Sequence, residues 1–180
     1  RFRDTDLFRK VFEDVVARCI MEGLVGGEHF AADASLIQAD ANKMNSTSKE
    51  EWDLDTINPE TAPRAVVEYL FALDDAAFGA ATEVIPKFTS HSDPSSQWTA
   101  AHHGPAYFAY SNNYLIDTDN AVIMDVEASR SVRTGETYAT CKMIERVQDR
   151  FGLWPERLIA DTAYGSGEML DWLVEGCGIE

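Results

Sequence analysis

Two aspartates in this 180-residue chain stand where packing would favour an apolar side chain. Asp33 interrupts the run "HFAADASLIQ", which otherwise reads as a buried strand, between Ala32 and Ala34. Asp161 closes "RLIAD", a short apolar strand that leads into a Gly-containing loop and the start of a helix. An ionised carboxylate in a low-dielectric interior is costly unless it is paired or binds a metal. Sites in open α/β sheets gather at the carboxyl ends of strands. If the two strands are neighbours, Asp33 and Asp161 face each other. Carboxylates that close repel unless a proton or a divalent cation lies between them. Hard oxygen donors of this kind suit Mg²⁺ or Mn²⁺, and a pair of such ions about 4 Å apart is the usual arrangement for in-line phosphoryl transfer.

Other residues that could do chemistry have plainer readings. His91, His102 and His103, with Asp93, could ligate Zn²⁺, but the chain has no H-x-x-x-H or H-E-x-x-H spacing, and they read as exposed loop residues. Trp52 and Trp98 could stack on bases, yet covering the core is the reading preferred for both. Asp117, Asp119 and Asn120 are turn residues, and Asp125 and Glu127 read as a solvated strand face. Tyr164 reads as packing against the last helix. Cys19, Cys141 and Cys177 form no metal or disulfide pattern and read as reduced thiols in a cytosolic protein. The chain contains no Gly-rich phosphate loop and no G-x-S-x-G nucleophile elbow.

The elements that would position the two acids follow from periodicity. Residues 4–23 place Phe8, Val11, Phe12, Val15, Val16 and Cys19 at helical spacing, with Gly23 as a stop and Gly26-Gly27 as a turn. Strand 1 is expected over 29–37. Residues 42–63 read as loop, 64–81 as helix with Val67, Leu70, Phe71 and Phe78 on one side, and 89–106 as loop again. Residues 44–105 therefore look like an insertion after strand 1. Two strands, 107–117 and 121–129, flank a turn of hairpin length. A helix follows over about 136–151, with Pro155 blocking its extension, then a strand over 156–161. Ser166 is a suitable N-cap for the last helix, and Glu168 falls in its first turn, where the dipole favours an acid. The order is that of a mixed α/β domain in which an antiparallel hairpin precedes crossover connections.

Composition narrows the class. The chain is 45% hydrophobic and 26% charged, ordinary for a globular domain, and no apolar run approaches the ~20 residues needed to span a bilayer. The amino terminus has charges throughout and no apolar core of a signal peptide. A net charge of −16 argues against a dedicated nucleic-acid surface, which normally carries a basic footprint. Part of the excess is regional, since residues 44–86 hold nine acids against two bases. The chain starts at Arg1 and stops at "GIE", where a new strand could begin, and so reads as a piece of a longer protein.

Three stretches, "GLVGGEHFAADASLIQADANK", "YFAYSNNYLIDTDNAVIMDVEAS" and "RLIADTAYGSGEML", resemble the catalytic domain of bacterial insertion-sequence transposases of the DDE type. The resemblance runs from about residue 5 to the end and keeps the family's order. It implies a ribonuclease H-like fold: a mixed sheet with flanking helices, here with an insertion after strand 1. Residues 1–28 would then lead into a truncated catalytic domain over 29–180, with the insertion at about 44–105. In that family the first Asp lies on strand 1, the second at the end of strand 4, and a Glu on a later helix completes a metal-binding triad. Asp33 matches the first acid by position and Asp161 the second, and Asp161-Thr-Ala-Tyr164 resembles the family's Asp-x-Gly/Ala-Tyr.

The chain also departs from the pattern. The Glu has no counterpart, its place falling beyond residue 180, and Glu180 precedes the strand it would follow. Many relatives carry Lys and His where this chain has Ser111 and Asn113. The activity implied is metal-dependent phosphodiester hydrolysis at a transposon end by Asp33 and Asp161 with Mg²⁺ or Mn²⁺, followed by strand transfer. The partner implied is double-stranded DNA, both transposon ends and target, bound by the full-length protein in a bacterial cytoplasm. No membrane partner is implied, and a homodimer is left open. Two other readings stay open: a non-catalytic transposase remnant serving as a binding or interaction domain, and a metal-dependent phosphoesterase acting on a small substrate.

Overall fold

The structure, a computed structural model, describes residues 5–72, 86–100 and 104–180. Among these the chain runs α1 (Leu7–Met21), β1 (His29–Gln38), β2 (Ser46–Ser48), α2 (Arg64–Ala72), β3 (Phe88–Ser90), β4 (Gln97–Ala100), β5 (Ala106–Asp117), β6 (Val122–Arg130), α3 (Arg133–Phe151), β7 (Arg157–Ile159) and α4 (Gly167–Leu170). The last helix continues as a π-helical turn over Asp171–Gly176. Hydrogen bonding orders the main sheet β4-β5-β1-β7, with β6 also on β5, while β2 and β3 form a separate antiparallel pair. β7 runs parallel to β1. β5 runs antiparallel to it: Thr118 N–H donates to the His29 carbonyl and Ala39 N–H to the Phe108 carbonyl. The fold is thus mixed α/β around a mixed sheet. No helix among the described residues is long and apolar enough to cross a membrane.

The chain divides into two compact units, Arg1–Asp33 with Tyr114–Val126 and Thr140–Glu180, and Ala34–Asn113 with Glu127–Ala139. The first owns the apolar core: Val16, Phe30, Leu115, Met124, Met143, Ile144, Val147, Met169, Leu173 and Ile179. α1 meets it through Phe12, Val16 and Ile20, whereas Phe8, Val11 and Val15 are exposed. The helical stripe read from the sequence was wider than the face that packs.

Entry into β1 is fixed by a turn that needs glycine. Gly27 has φ +83°, and its N–H donates to Oδ2 of the fully buried Asp117 at 2.8 Å. Any Cβ at Gly26 would fall 2.2 Å from the Asp119 carboxylate. Asp117 also accepts from Asp119 N–H, and the Asn120 amide donates to the Leu24 carbonyl. These residues do form a turn, as expected, and the same turn pins the start of strand 1.

Asp125 is not the solvated residue the alternation of β6 suggested. It is 2% exposed and held between two arginines, Arg9 of α1, through a very short contact, and Arg146 of α3, 2.6 Å away. Both guanidinium groups also reach the Val126 carbonyl. A carboxylate here survives burial because two cations meet it, which ties α1 and α3 to β6.

The second unit holds three short strands that the sequence reading left as loop. β2 and β3 pair over Ser46–Ser48 and Phe88–Ser90, and β4 adds itself antiparallel to β5, Gln97 opposite Ala109. Runs of three or four residues carry too little periodicity to register. Trp98 packs edge-on against Phe88 and Phe108, with centroids 5.5 and 4.9 Å away. Much of what this unit buries is polar. Ser111 donates to Glu136, and Asn113 donates to the Glu127 carbonyl and to Ser129. Ser111 and Asn113 are therefore internal hydrogen-bonding residues. The 64–81 helix is seen as far as Ala72, and its remainder, with Phe78, lies outside the described residues.

Candidate metal centre

The register of β1 on β7 stops short of both acids. His29 pairs with Arg157, Phe30 with Leu158 and Ala31 with Ile159. The pairing ends there, two residues before Asp33 in the middle of β1 and two residues before Asp161, which lies past the end of β7.

The side of β1 that carries Asp33 is not buried. Phe30 and Ala32 turn into the core of the first unit, Leu158 packs against it, and Asp33 alternates to the opposite face. Both acids are exposed, as are Arg157 and Ile159. The expectation of a carboxylate trapped in a low-dielectric interior is overturned by the phase of β1. Its apolar run, mostly alanine, places only the even-numbered residues 30 and 32 inward. Asp33 and Asp161 face water, where no desolvation has to be offset.

β7 ends at Ile159, two residues short of the expected strand, and Asp161 begins the next structure. Its Oδ1 accepts the Ala163 N–H at 2.7 Å, capping a 3₁₀ turn over Thr162–Tyr164. Asp161 therefore serves as the cap of this turn. It uses one carboxylate oxygen and aims the chain into the next turn, where Ser166 accepts from Met169 N–H and opens α4. Tyr164 is buried, as expected of a packing residue.

Among the described residues no group of three or more His, Cys, Asp or Glu side chains could hold a metal ion. Two exposed carboxylates fit a cation that keeps most of its water, as Mg²⁺ does, and do not fit a fully protein-ligated site. His91 bonds Thr47 through Nε2 and stands edge-on to Trp52 at 6.0 Å, while His102 and His103 lie outside the described residues.

A second polar centre was not anticipated. β1 and β5 part company after the Ala39–Phe108 hydrogen bond, leaving a cleft of about 570 Å³. Lys43 lines it, its ammonium 4.6 Å from the Phe88 ring centroid and 5.7 Å from that of Trp98. Of the residues that line it, Asn42 and Lys43 open the 42–63 stretch that the sequence presents as loop. Elsewhere in the second unit, burial holds Arg130 below its ordinary pKa and drives Tyr110 well above its own, Asp93 accepting the Tyr110 hydroxyl. Comparisons with protein-family models, curated proteins and solved structures found no match for this chain.

Proposed function

We propose that the chain is part of a DDE-type transposase catalytic domain in which Asp33 and Asp161 together hold Mg²⁺ or Mn²⁺. The observation that supports this reading is the parallel pairing of β1 with β7 up to Ala31 and Ile159, two residues before Asp33 in the middle of β1 and two residues before Asp161 just past the end of β7. The bound cation would supply activation of the attacking water and charge neutralisation at the leaving oxygen. The chain's own contribution is positional. The Gly26-Gly27 turn and buried Asp117 fix the start of β1, and the Ala163 N–H holds one oxygen of Asp161. Both acids are exposed, which suits an extended substrate laid over the surface better than an enclosed small molecule. Glu180 adds a supporting detail. Its N–H donates to the Glu156 carbonyl and its own carbonyl accepts from Leu158 N–H, the pattern of a further parallel neighbour on β7. In the family resembled, the third acid follows such a strand.

The test is a Mn²⁺ titration of the isotopically labelled chain followed by NMR. Paramagnetic broadening should concentrate on amides 32–34 and 160–163 and vanish in Asp33→Asn. Broadening centred on other residues, or unchanged in that variant, would remove the basis for the reading.

A further inference from the structure

We infer that the cleft beside Lys43 binds an unstacked nucleotide. This goes beyond the carboxylate pair and stands on the cleft alone. Its volume of about 570 Å³ is that of a small-ligand site. It is lined by the chemistry a nucleotide requires: Trp98 and Tyr107 as aromatic surfaces, Gln38 and Asn42 as amides, Asp40 as an acceptor, and Lys43 as the cation. Asn42 spends its side-chain oxygen on the Met44 N–H, which leaves its NH₂ as a donor. Asp40 can accept from an exocyclic amine such as that of cytosine. Lys43 is exposed, and its ammonium lies over the faces of Phe88 and Trp98. An exposed cation–π contact is weak beside a charge-assisted bond to phosphate. An arriving phosphate would draw Lys43 off the rings and open the Trp98 face for a base. Trp98 itself is braced by Phe88 and Phe108 and offers a rigid platform.

The geometry favours an unpaired base over a duplex. A stacked and paired base has no free face to offer, and one lysine beside Asp40 is a poor match for two charged backbones. The unstacked nucleotide could be a free mononucleotide or part of a single strand, and the experiment separates them. The 180-residue chain in EDTA, where the carboxylate site plays no part, is titrated with a dC octamer, the matching dC·dG duplex, dCMP and heparin. Binding is read by tryptophan fluorescence and by anisotropy. The octamer or dCMP should quench tryptophan fluorescence, and the duplex and heparin should bind at least about tenfold more weakly. A tighter octamer assigns the cleft to strands, and equal affinities assign it to free nucleotides.

One phosphate contact predicts a loss of only about threefold in octamer affinity between 50 and 200 mM salt. Lys43→Met, at an exposed position, should weaken binding about fivefold or more and flatten that salt dependence. Tyr107→Ser should weaken it with the circular dichroism spectrum unchanged. Equal binding of heparin or duplex, no binding below millimolar, or affinity untouched by Lys43→Met would each overturn the inference.

Discussion

The Ala163 amide and any cation compete for the same carboxylate of Asp161, and substitutions can separate the two roles. Asp161→Ala removes cap and charge together and should cost about 1 kcal/mol in a urea melt. Asp161→Asn keeps an acceptor for Ala163, so stability should stay within about 0.5 kcal/mol while Mn²⁺ binding is lost. Retention of Mn²⁺ by the Asn variant would reduce Asp161 to a turn residue.

Cys141 offers an independent check on the first unit. Burial, with Glu145 and Cys177 adding to it, pushes its thiol from 9.0 up to about 12. A folded pKa above the unfolded one stabilises fully below the unfolded value, and that contribution is lost as pH rises from about 9 towards 12. Alkylation at pH 8.5 should therefore be at least about tenfold slower at Cys141 in the folded chain than in urea, as followed by mass spectrometry. Equal rates would mean that the core around Cys141 is open. At this scale the sequence marks both acids as unusual, because one stands within an apolar run and the other closes one. Their exposure was not legible, because an alanine-rich run does not reveal which alternate residues face inward.

Between elements, the Arg9–Asp125–Arg146 contact is the feature the sequence hid most completely. Its members lie on α1, β6 and α3, and spacing along the chain says nothing about a meeting across three elements. Asp125→Ala leaves two guanidinium groups against a buried site and should destabilise the fold by about 3 kcal/mol. Arg9→Ala should cost less, since Arg146 still neutralises the acid. A urea midpoint that falls further in Arg9→Ala than in Asp125→Ala would contradict this order.

The hairpin supplies an opposite case. Ala121 closes the β5–β6 turn with φ +56°, a conformation that an L side chain adopts at a cost. Ala121→Gly should raise stability by about 0.5 kcal/mol, and a lowered melting temperature would show that the turn relaxes without strain. Long, strongly periodic elements such as α1, α3 and the hairpin were visible in the sequence. β2, β3 and β4 were not, being made of three or four residues such as "STS" and "QWTA" whose pairing is set by distant partners.

For the whole molecule, charge sets the expectations for DNA. The chain carries 31 acids against 15 Lys and Arg, and several of those cations are already engaged. Arg9 and Arg146 serve Asp125, and Arg18, Arg64, Arg150 and Arg157 pair with Glu22, Glu68, Glu13 and Glu180. A duplex presents one negative charge per ~1.7 Å of axis, and affinity for it comes largely from counterions released by free lysines and arginines. The 180-residue chain should therefore bind duplex DNA more weakly than about 100 μM at physiological salt, as measured by anisotropy. On the proposed reading it should also fail to nick a duplex in Mn²⁺, because the described residues bring no third His, Cys, Asp or Glu together with the two acids. Nicking by the 180-residue chain, abolished by Asp161→Asn, would mean that the third acid lies within it. Glu127 and Glu168 would then be the first candidates, since Asp125 is committed to its two arginines.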